Sequence, residues 1–145
     1  MTERREFLMA LAGMMAAARA ADAAGASPAG HQAQTSSRMV VQRDMPAVNL
    51  DGWRVTAVEV TYPPGAGGGP HRHPGFVVGY VLRGQYRFAV NNEPPRVVPA
   101  GEMFFESPGD THAVSANASD TEPTTILAMV FTPKDQPVTL PGGGD

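Results

Sequence analysis

Two histidines, His71 and His73, stand one residue apart in a stretch rich in glycine and proline, and this pair constrains the chain more than any other feature. In an extended strand alternate side chains share a face, so the two imidazoles project the same way. Pro70 and Pro74 bracket the pair and limit its backbone freedom. Two convergent ring nitrogens suit a divalent first-row metal. The alternative is a pair of solvated loop histidines, and the spacing alone does not choose between the two.

The composition limits the classes of protein and of site. A chain of 145 residues suits one domain rather than two. It has no cysteine, which excludes disulfides, thiolate ligands and cysteine nucleophiles. Its formal charge is −3, without a basic run, so nothing indicates a nucleic-acid partner. Because Gly and Pro number 16 and 14 and only 17% of residues are charged, we expect many short elements joined by tight turns.

Residues 1–26 predict an export signal. Arg4 and Arg5 are followed by Phe7, Leu8 and an uncharged run rich in Ala, Gly and Met, and then by Ala-x-Ala patterns. A basic start, a short apolar run and such cleavage patterns are typical of exported proteins. The Arg-Arg-x-Phe-Leu order resembles a twin-arginine signal, although Glu3 stands where Ser or Thr is usual. The apolar run is shorter than the roughly 20 residues that span a bilayer. We therefore expect a periplasmic or secreted protein without a stable membrane anchor; the alternative is an amphipathic helix that stays attached.

The remaining chain divides into a linker, a barrel and a tail. Residues 27–38 are rich in Ser, Ala, Gln and other small or polar residues and predict a flexible linker. His31 lies in it without a neighbouring donor at a suitable spacing, so we expect a bystander. Residues 39–133 carry the strand signals. Residues 134–145 are rich in Pro and Gly, and a loose C-terminal tail is expected.

Short apolar runs punctuated by turn residues predict an all-β fold. Residues 38–133 show no 3.6-residue apolar period, so we expect a sandwich or barrel rather than helices. In the second predicted strand the alternation changes phase near Ala57 and Val58, which indicates a bulge or a strand buried on both faces. Strands are predicted at residues 39–41, 53–62, 76–82, 85–90, 96–98, 102–106, 112–115 and 124–132.

Around its histidines the chain resembles the cupin family. Four positions of the first cupin motif match at the family's spacing: Gly65, His71, His73 and Gly84. Val77 stands where that motif has a glutamate. Three positions of the second motif match: Gly101, Gly109 and His112. In that motif Ser107 replaces a proline and Ala116 an asparagine.

The resemblance implies a double-stranded β-helix jelly roll that holds one divalent transition metal through His71, His73 and His112. Three neutral ligands leave coordination positions open and the charge of the ion undiminished, which favours substrates that bind as anions. Cupins with three histidines and no acid include dioxygenases. We therefore expect an oxidoreductase of this kind, with iron favoured over manganese, nickel, zinc or copper, acting on a small organic substrate. The resemblance also implies a homodimer.

Glu106 is the candidate catalytic residue. It lies two residues after Phe104, on the strand face that cupins normally keep apolar. A buried carboxylate needs a metal, a hydrogen-bonding partner or a proton. Glu106 could act as a fourth ligand, as a partner of a ligating histidine or as a general base. The alternatives are that a bulge turns it to solvent or that Arg87 pairs with it. Tyr80 and Gln85 are candidate polar groups of the pocket.

Two other functions remain open. The first is a non-catalytic cupin that binds a small ligand or a metal, which the short chain without a second domain supports. The second is a metal-dependent isomerase that uses Glu106 as its base. A degenerate pocket without a metal is the alternative to the site itself: the missing acid at Val77 supports it, whereas the three retained histidines oppose it.

Overall fold

The computed structural model describes residues 35–142. The predicted signal, most of the linker and the last three residues of the predicted tail lie outside this range. Residues 35–142 contain no helix, and hence none long and apolar enough to cross a membrane. Within this range the strands are β1 Trp53–Tyr62, β2 Gly67–Gly68, β3 His71–Arg72, β4 Phe76–Arg83, β5 Gln85–Val90, β6 Arg96–Pro99, β7 Met103–Glu106, β8 Thr111–Asn117, β9 Thr124–Pro133 and β10 Leu140–Pro141.

The strands form two antiparallel sheets. The four-stranded sheet has the order β1-β9-β4-β7. The six-stranded sheet has the order β10-β3-β8-β5-β6, with β2 paired to β8. Apart from β5 and β6, paired strands are not consecutive in the sequence, so the chain crosses repeatedly between the sheets, as a jelly roll does. The predicted all-β jelly-roll class is thereby confirmed.

The core lies between the sheets and is built from alternate residues of the longer strands. Burial of side chains of this size stabilises a fold by about 1.5–3 kcal/mol each. One close approach shapes it: Gly79 pairs with Phe104 across β4 and β7, and a Cβ on Gly79 would lie 2.0 Å from the Phe104 ring. Only glycine leaves room for that ring. The buried cluster consists of Val77, Val81, Tyr86, Phe88, Val90, Val98, Phe104, Ile126 and Val130.

Two strand predictions are wrong. Residues 39–41 form no strand, and Met39 is 75% exposed. In β1 the expected bulge is absent, because all ten residues pair with β9 in one unbroken register. Nor is β1 buried on both faces: it lies at the edge of the four-stranded sheet, and Val55 and Val58 are exposed. The change of phase in the apolar pattern of β1 is due to its edge position, where apolar residues such as Val55 lie on the outer face of the sheet.

The segment after β9 differs from the loose tail expected of it. Leu140–Pro141 pairs with His71–Arg72 of β3. The Gly142 amide donates a hydrogen bond to the Pro70 carbonyl at 3.2 Å, and Val138 packs against the core. The sequence did not indicate these contacts, because Pro and Gly occur in ordered edge strands as well as in loose tails.

Candidate metal centre

The pairing of the short strand β3 with β8 brings the three predicted ligands together. His71 lies directly opposite His112 in the β3–β8 pair, and His73 follows β3 at once. The His71 ring centroid is 4.8 Å from that of His112 and 5.1 Å from that of His73. One nitrogen of each ring lies within 4.8 Å of the other two. Three imidazoles at such separations can hold a single metal ion.

Backbone carbonyls orient two of the rings. The Nδ1 of His71 lies 3.1 Å from the Gly69 carbonyl oxygen, and the Nδ1 of His73 lies 2.6 Å from that of Val138. A carbonyl accepts, so in each ring Nδ1 carries the hydrogen and Nε2 keeps its lone pair for a metal. The C-terminal segment therefore helps to orient a ligand, which the sequence did not indicate.

Burial and the neighbouring histidines affect the charge of His71. Burial, chiefly, lowers its pKa from the ordinary 6.5, because a desolvated imidazole resists protonation. The nearby His112 and His73 act in the same direction. A metal requires the neutral ring, so at neutral pH His71 is in the form that ligates.

Glu106 faces the interior of the barrel, where it was expected. It is 3% exposed, with Oε1 3.1 Å from His112 Nδ1 and Oε2 3.8 Å from His73 Nε2. The contact of Oε1 with His112 Nδ1 is short but not aligned as a hydrogen bond, so His112 Nδ1 lacks a partner, and Glu106 Oε2 lacks one as well. Pairing with Arg87 is wrong, because that side chain points to solvent. A buried carboxylate and a ring nitrogen without partners fit a site built for a cation.

The sheet register explains how Glu106 can replace the acid missing at Val77. The two residues are directly opposite each other in the β4–β7 pair. Opposite residues of an antiparallel pair have Cβ atoms about 4.5–5.5 Å apart and project to the same face. The Glu106 carboxylate therefore lies on the strand next to Val77, at the same level of the barrel as the position where the family motif has its glutamate. The small Val77 side chain leaves space for it.

A row of hydroxyl groups extends from His112 and was missed by the sequence analysis. Tyr86 Oη lies 3.1 Å from His112 Nε2 and 2.7 Å from Ser115 Oγ. Ser115 Oγ lies 2.7 Å from Tyr62 Oη. Burial raises the pKa of Tyr86 far above its ordinary value of 10.0, so the phenol keeps its proton. The available signal was the inward alternation of both tyrosines, because a buried tyrosine hydroxyl needs a partner.

These groups surround a cavity of about 140 Å³. An apolar cavity of about 150 Å³ holds a molecule the size of benzene, so an occupant has only a few non-hydrogen atoms. Tyr80 and Gln85, the predicted polar groups of the pocket, do not line it. Their positions on β4 and β5 place their side chains on the outward faces. The lining residues are Val58, Val60, Tyr62, His71, His73, Val77, Tyr86, Phe104, Glu106, His112, Ser115, Ile126, Ala128, Val130, Val138 and Thr139.

Asn117 holds the adjoining loops together. Its Nδ2 donates to the carbonyls of Tyr62, Pro63 and Glu122 at 3.2, 3.0 and 2.7 Å. The side chain is 5% exposed. Asn117 begins a glycosylation sequon with Ser119, but its side-chain amide makes hydrogen bonds inside the fold. These bonds hold the end of β1, where Tyr62 lies, in place.

Comparisons with known proteins agree with this architecture. A family model described as a cupin domain matches residues 58–130, whereas no curated protein matches the sequence. An uncharacterized conserved protein with a double-stranded β-helix domain from Klebsiella pneumoniae is 21% identical with a TM-score of 0.52, over 61% of this chain and 76% of that one. A cupin-like protein from Thermotoga maritima is 22% identical with a TM-score of 0.52, over 61% and 65%.

A third solved structure is the DMSP lyase DddQ from Ruegeria pomeroyi. It is 24% identical with a TM-score of 0.51, and the match covers 62% of this chain but only 45% of the lyase. At such identities the three structures show a shared fold and nothing about a shared reaction.

Proposed function

This chain belongs to the cupin family, and from that premise we propose that it binds one divalent transition metal through His71, His73 and His112 and acts on a small organic substrate. One observation carries the proposal: three ring nitrogens lie within 4.8 Å of one another inside the barrel, beside a buried carboxylate that has an oxygen without a partner. A bound ion would supply Lewis acidity or one-electron chemistry at this point.

The donor set is compatible with several metals. Imidazole suits Fe, Ni, Cu and Zn, and a carboxylate adds a hard oxygen that also suits Mn. Iron is the metal that we propose, because nitrogen ligands with a carboxylate and open positions are the set used by non-haem iron oxygenases. The proposed activity is therefore that of an oxidoreductase of the dioxygenase type.

We assign to Glu106 the handling of a proton in this site. Glu106 lines the cavity and its Oε2 has no hydrogen-bond partner, which suits the carboxylate to accept a proton from a molecule bound there. Its Oε1 lies against His112, where it also holds that ring in place. The other side chains of the four-stranded sheet that line the cavity are mostly apolar and keep out bulk water.

A second candidate function, a metal-dependent isomerase, follows from the same carboxylate. A buried base beside a Lewis acid is what abstraction of a proton next to a carbonyl requires. The two candidates differ in their need for dioxygen, whereas a non-catalytic binding protein would turn over nothing.

Elemental analysis of protein purified from its native host tests the proposal. We expect one iron or manganese ion per chain and oxygen uptake with small carboxylic or dicarbonyl compounds. Zinc or nickel with turnover but without oxygen uptake would favour the isomerase. Absence of any bound transition metal would reject the metal site.

Export and dimerisation are part of the proposal. The Arg4-Arg5 pattern supports periplasmic or secreted localisation; replacing both residues with lysine should leave the protein in the cytoplasm if the twin-arginine route is used. Exposed Val55 on edge strand β1 supports a homodimer. Light scattering of the purified protein should then give twice the mass of one chain, and a monomer would contradict this.

A further inference from the structure

The hydroxyl row ends at the cavity, and we infer that it makes Tyr62 a hydrogen-bond donor to a small carboxylate held beside the histidines. The inference rests on the metal site proposed above and adds the chemical class of the occupant and the residue that recognises it. Three contacts form the row, from His112 Nε2 through Tyr86 and Ser115 to Tyr62, at 3.1, 2.7 and 2.7 Å.

Without a metal the row can satisfy itself. Each of the three hydroxyls has one hydrogen to donate. When Nε2 of His112 carries a lone pair, Tyr86 donates to it, Ser115 donates to Tyr86, and Tyr62 donates to Ser115. All three hydrogens are then used within the row, and none is directed into the cavity.

A cation on His112 reverses the direction of these bonds, whichever ring nitrogen holds it. If Nε2 is the ligand, its lone pair is no longer open to Tyr86. If Nδ1 is the ligand, the neutral ring carries its hydrogen on Nε2 and donates to Tyr86. In both cases Tyr86 is free to donate to Ser115, and Ser115 can then donate to the Tyr62 oxygen.

In that arrangement Ser115, whose Oγ lies 2.7 Å from the Tyr62 hydroxyl, no longer accepts the Tyr62 hydrogen. Tyr62 lines the cavity, and its backbone is held by the hydrogen bond that Asn117 donates to its carbonyl at 3.2 Å. A donor that faces a small, mostly apolar space prefers an oxygen acceptor on the occupant. A carboxylate meets both demands, because it is attracted by the cation and offers a second oxygen to Tyr62.

Anion titrations of the cobalt-loaded protein, followed by visible absorption, test this inference. The probes are acetate, which has a second oxygen, and chloride, which has none. Tyr62→Phe should weaken acetate binding roughly tenfold or more, as loss of a charge-assisted hydrogen bond does, and leave chloride binding unchanged. Tyr80→Phe is the matched control, because it removes a tyrosine hydroxyl that does not line the cavity and should change neither affinity.

Two further measurements sharpen the test. Ser115→Ala, which keeps the Tyr62 hydroxyl but removes its orientation, should weaken acetate binding a few-fold. In the metal-free protein, Tyr62→Phe should have no effect on acetate. If Tyr62→Phe binds cobalt and keeps its acetate affinity within about twofold, the inference is overturned while the metal site stands. If the wild-type protein takes up no cobalt, the metal site fails and the inference with it.

Discussion

The two sheets of the barrel face the same cavity but contribute different things. The four-stranded sheet is built on the long strands β1, β4 and β9 and presents a mostly apolar wall, interrupted by the carboxylate of Glu106 and the hydroxyl of Tyr62. The six-stranded sheet carries His71 and His112, and three of its strands, β2, β3 and β10, are only two residues long. The four-stranded sheet shields the cavity from water, and the six-stranded sheet positions the histidine ligands.

This difference has a physical reason. Long paired strands direct every second side chain inward at fixed intervals, which builds regular rows of buried side chains. The two-residue strand β3 lies between Gly and Pro residues that turn the chain, so His71 and His73 can converge on His112 of the longer β8. The four-stranded, more apolar sheet shares the core with β5 and β6 of the six-stranded, more polar sheet. His71 and His112 lie on the polar sheet, and the following predictions separate stability from metal affinity.

The largest expected effect is on the polar sheet. Replacing His71 and His112 together with alanine should abolish stoichiometric metal binding, because the single remaining imidazole cannot hold a structural ion. Metal content after dialysis measures it. His31→Ala is the control, because the sequence predicts that residue to be a bystander, and it should keep full occupancy. Survival of the bound ion in the double variant would place the site elsewhere.

The second prediction concerns the carboxylate that the apolar sheet contributes. Glu106→Gln should lower metal affinity about 10–100-fold, the usual effect of removing an acid that supports a ligand. Glu102→Gln, at an exposed neighbouring position, should change nothing. Competition with a chromophoric chelator gives the affinities.

Exchanging the residues at positions 77 and 106 tests whether the cross-strand pairing of these two positions matters for metal binding. Because Val77 and Glu106 are opposite each other, the double variant Val77→Glu/Glu106→Val returns the acid to the neighbouring strand at the same level. It should bind metal more tightly than Glu106→Val alone. Equal affinities in the two variants would show that the cross-strand relation has no role in the site.

The third prediction concerns stability in the apolar sheet. Gly79→Ala should lower the free energy of unfolding by about 1–3 kcal/mol, as overpacking of a core does, because the new Cβ would meet the Phe104 ring. Urea denaturation of the metal-free protein measures it. Gly69→Ala, with no atom within 4 Å of its added Cβ, is the control. An unchanged midpoint for Gly79→Ala would contradict the close packing described here.

The smallest effect is the pH dependence of the metal-free protein. Burial lowers the pKa of His71 below 6.5, so below that pH the unfolded chain binds more protons than the folded one. This contribution to stability is therefore present above pH 6.5 and is lost as the pH falls through the lowered pKa. Unfolding free energies at a series of pH values should show this loss in the wild type and a shallower one in His71→Gln. Identical slopes would argue against it.

The sequence by itself determined the fold class and the centre of the site. Alternation and turn residues were enough for the long strands, because their period of two is a local property. The spacing around His71, His73 and His112 was enough to indicate a shared site, since it matches a family motif. The inward direction of Glu106 also followed from its spacing to Phe104, because alternate residues of a strand share a face.

Only the tertiary structure decided how these parts meet. The pairing of Glu106 with Val77 depends on the register between β4 and β7, which neither strand encodes alone. The carbonyl of Val138 reaches His73, 65 residues earlier in the chain, and the hydroxyls of Tyr62 and Ser115 meet across 53 residues. Contacts at such separations arise from packing between strands, and for that reason local patterns in the sequence could not predict them.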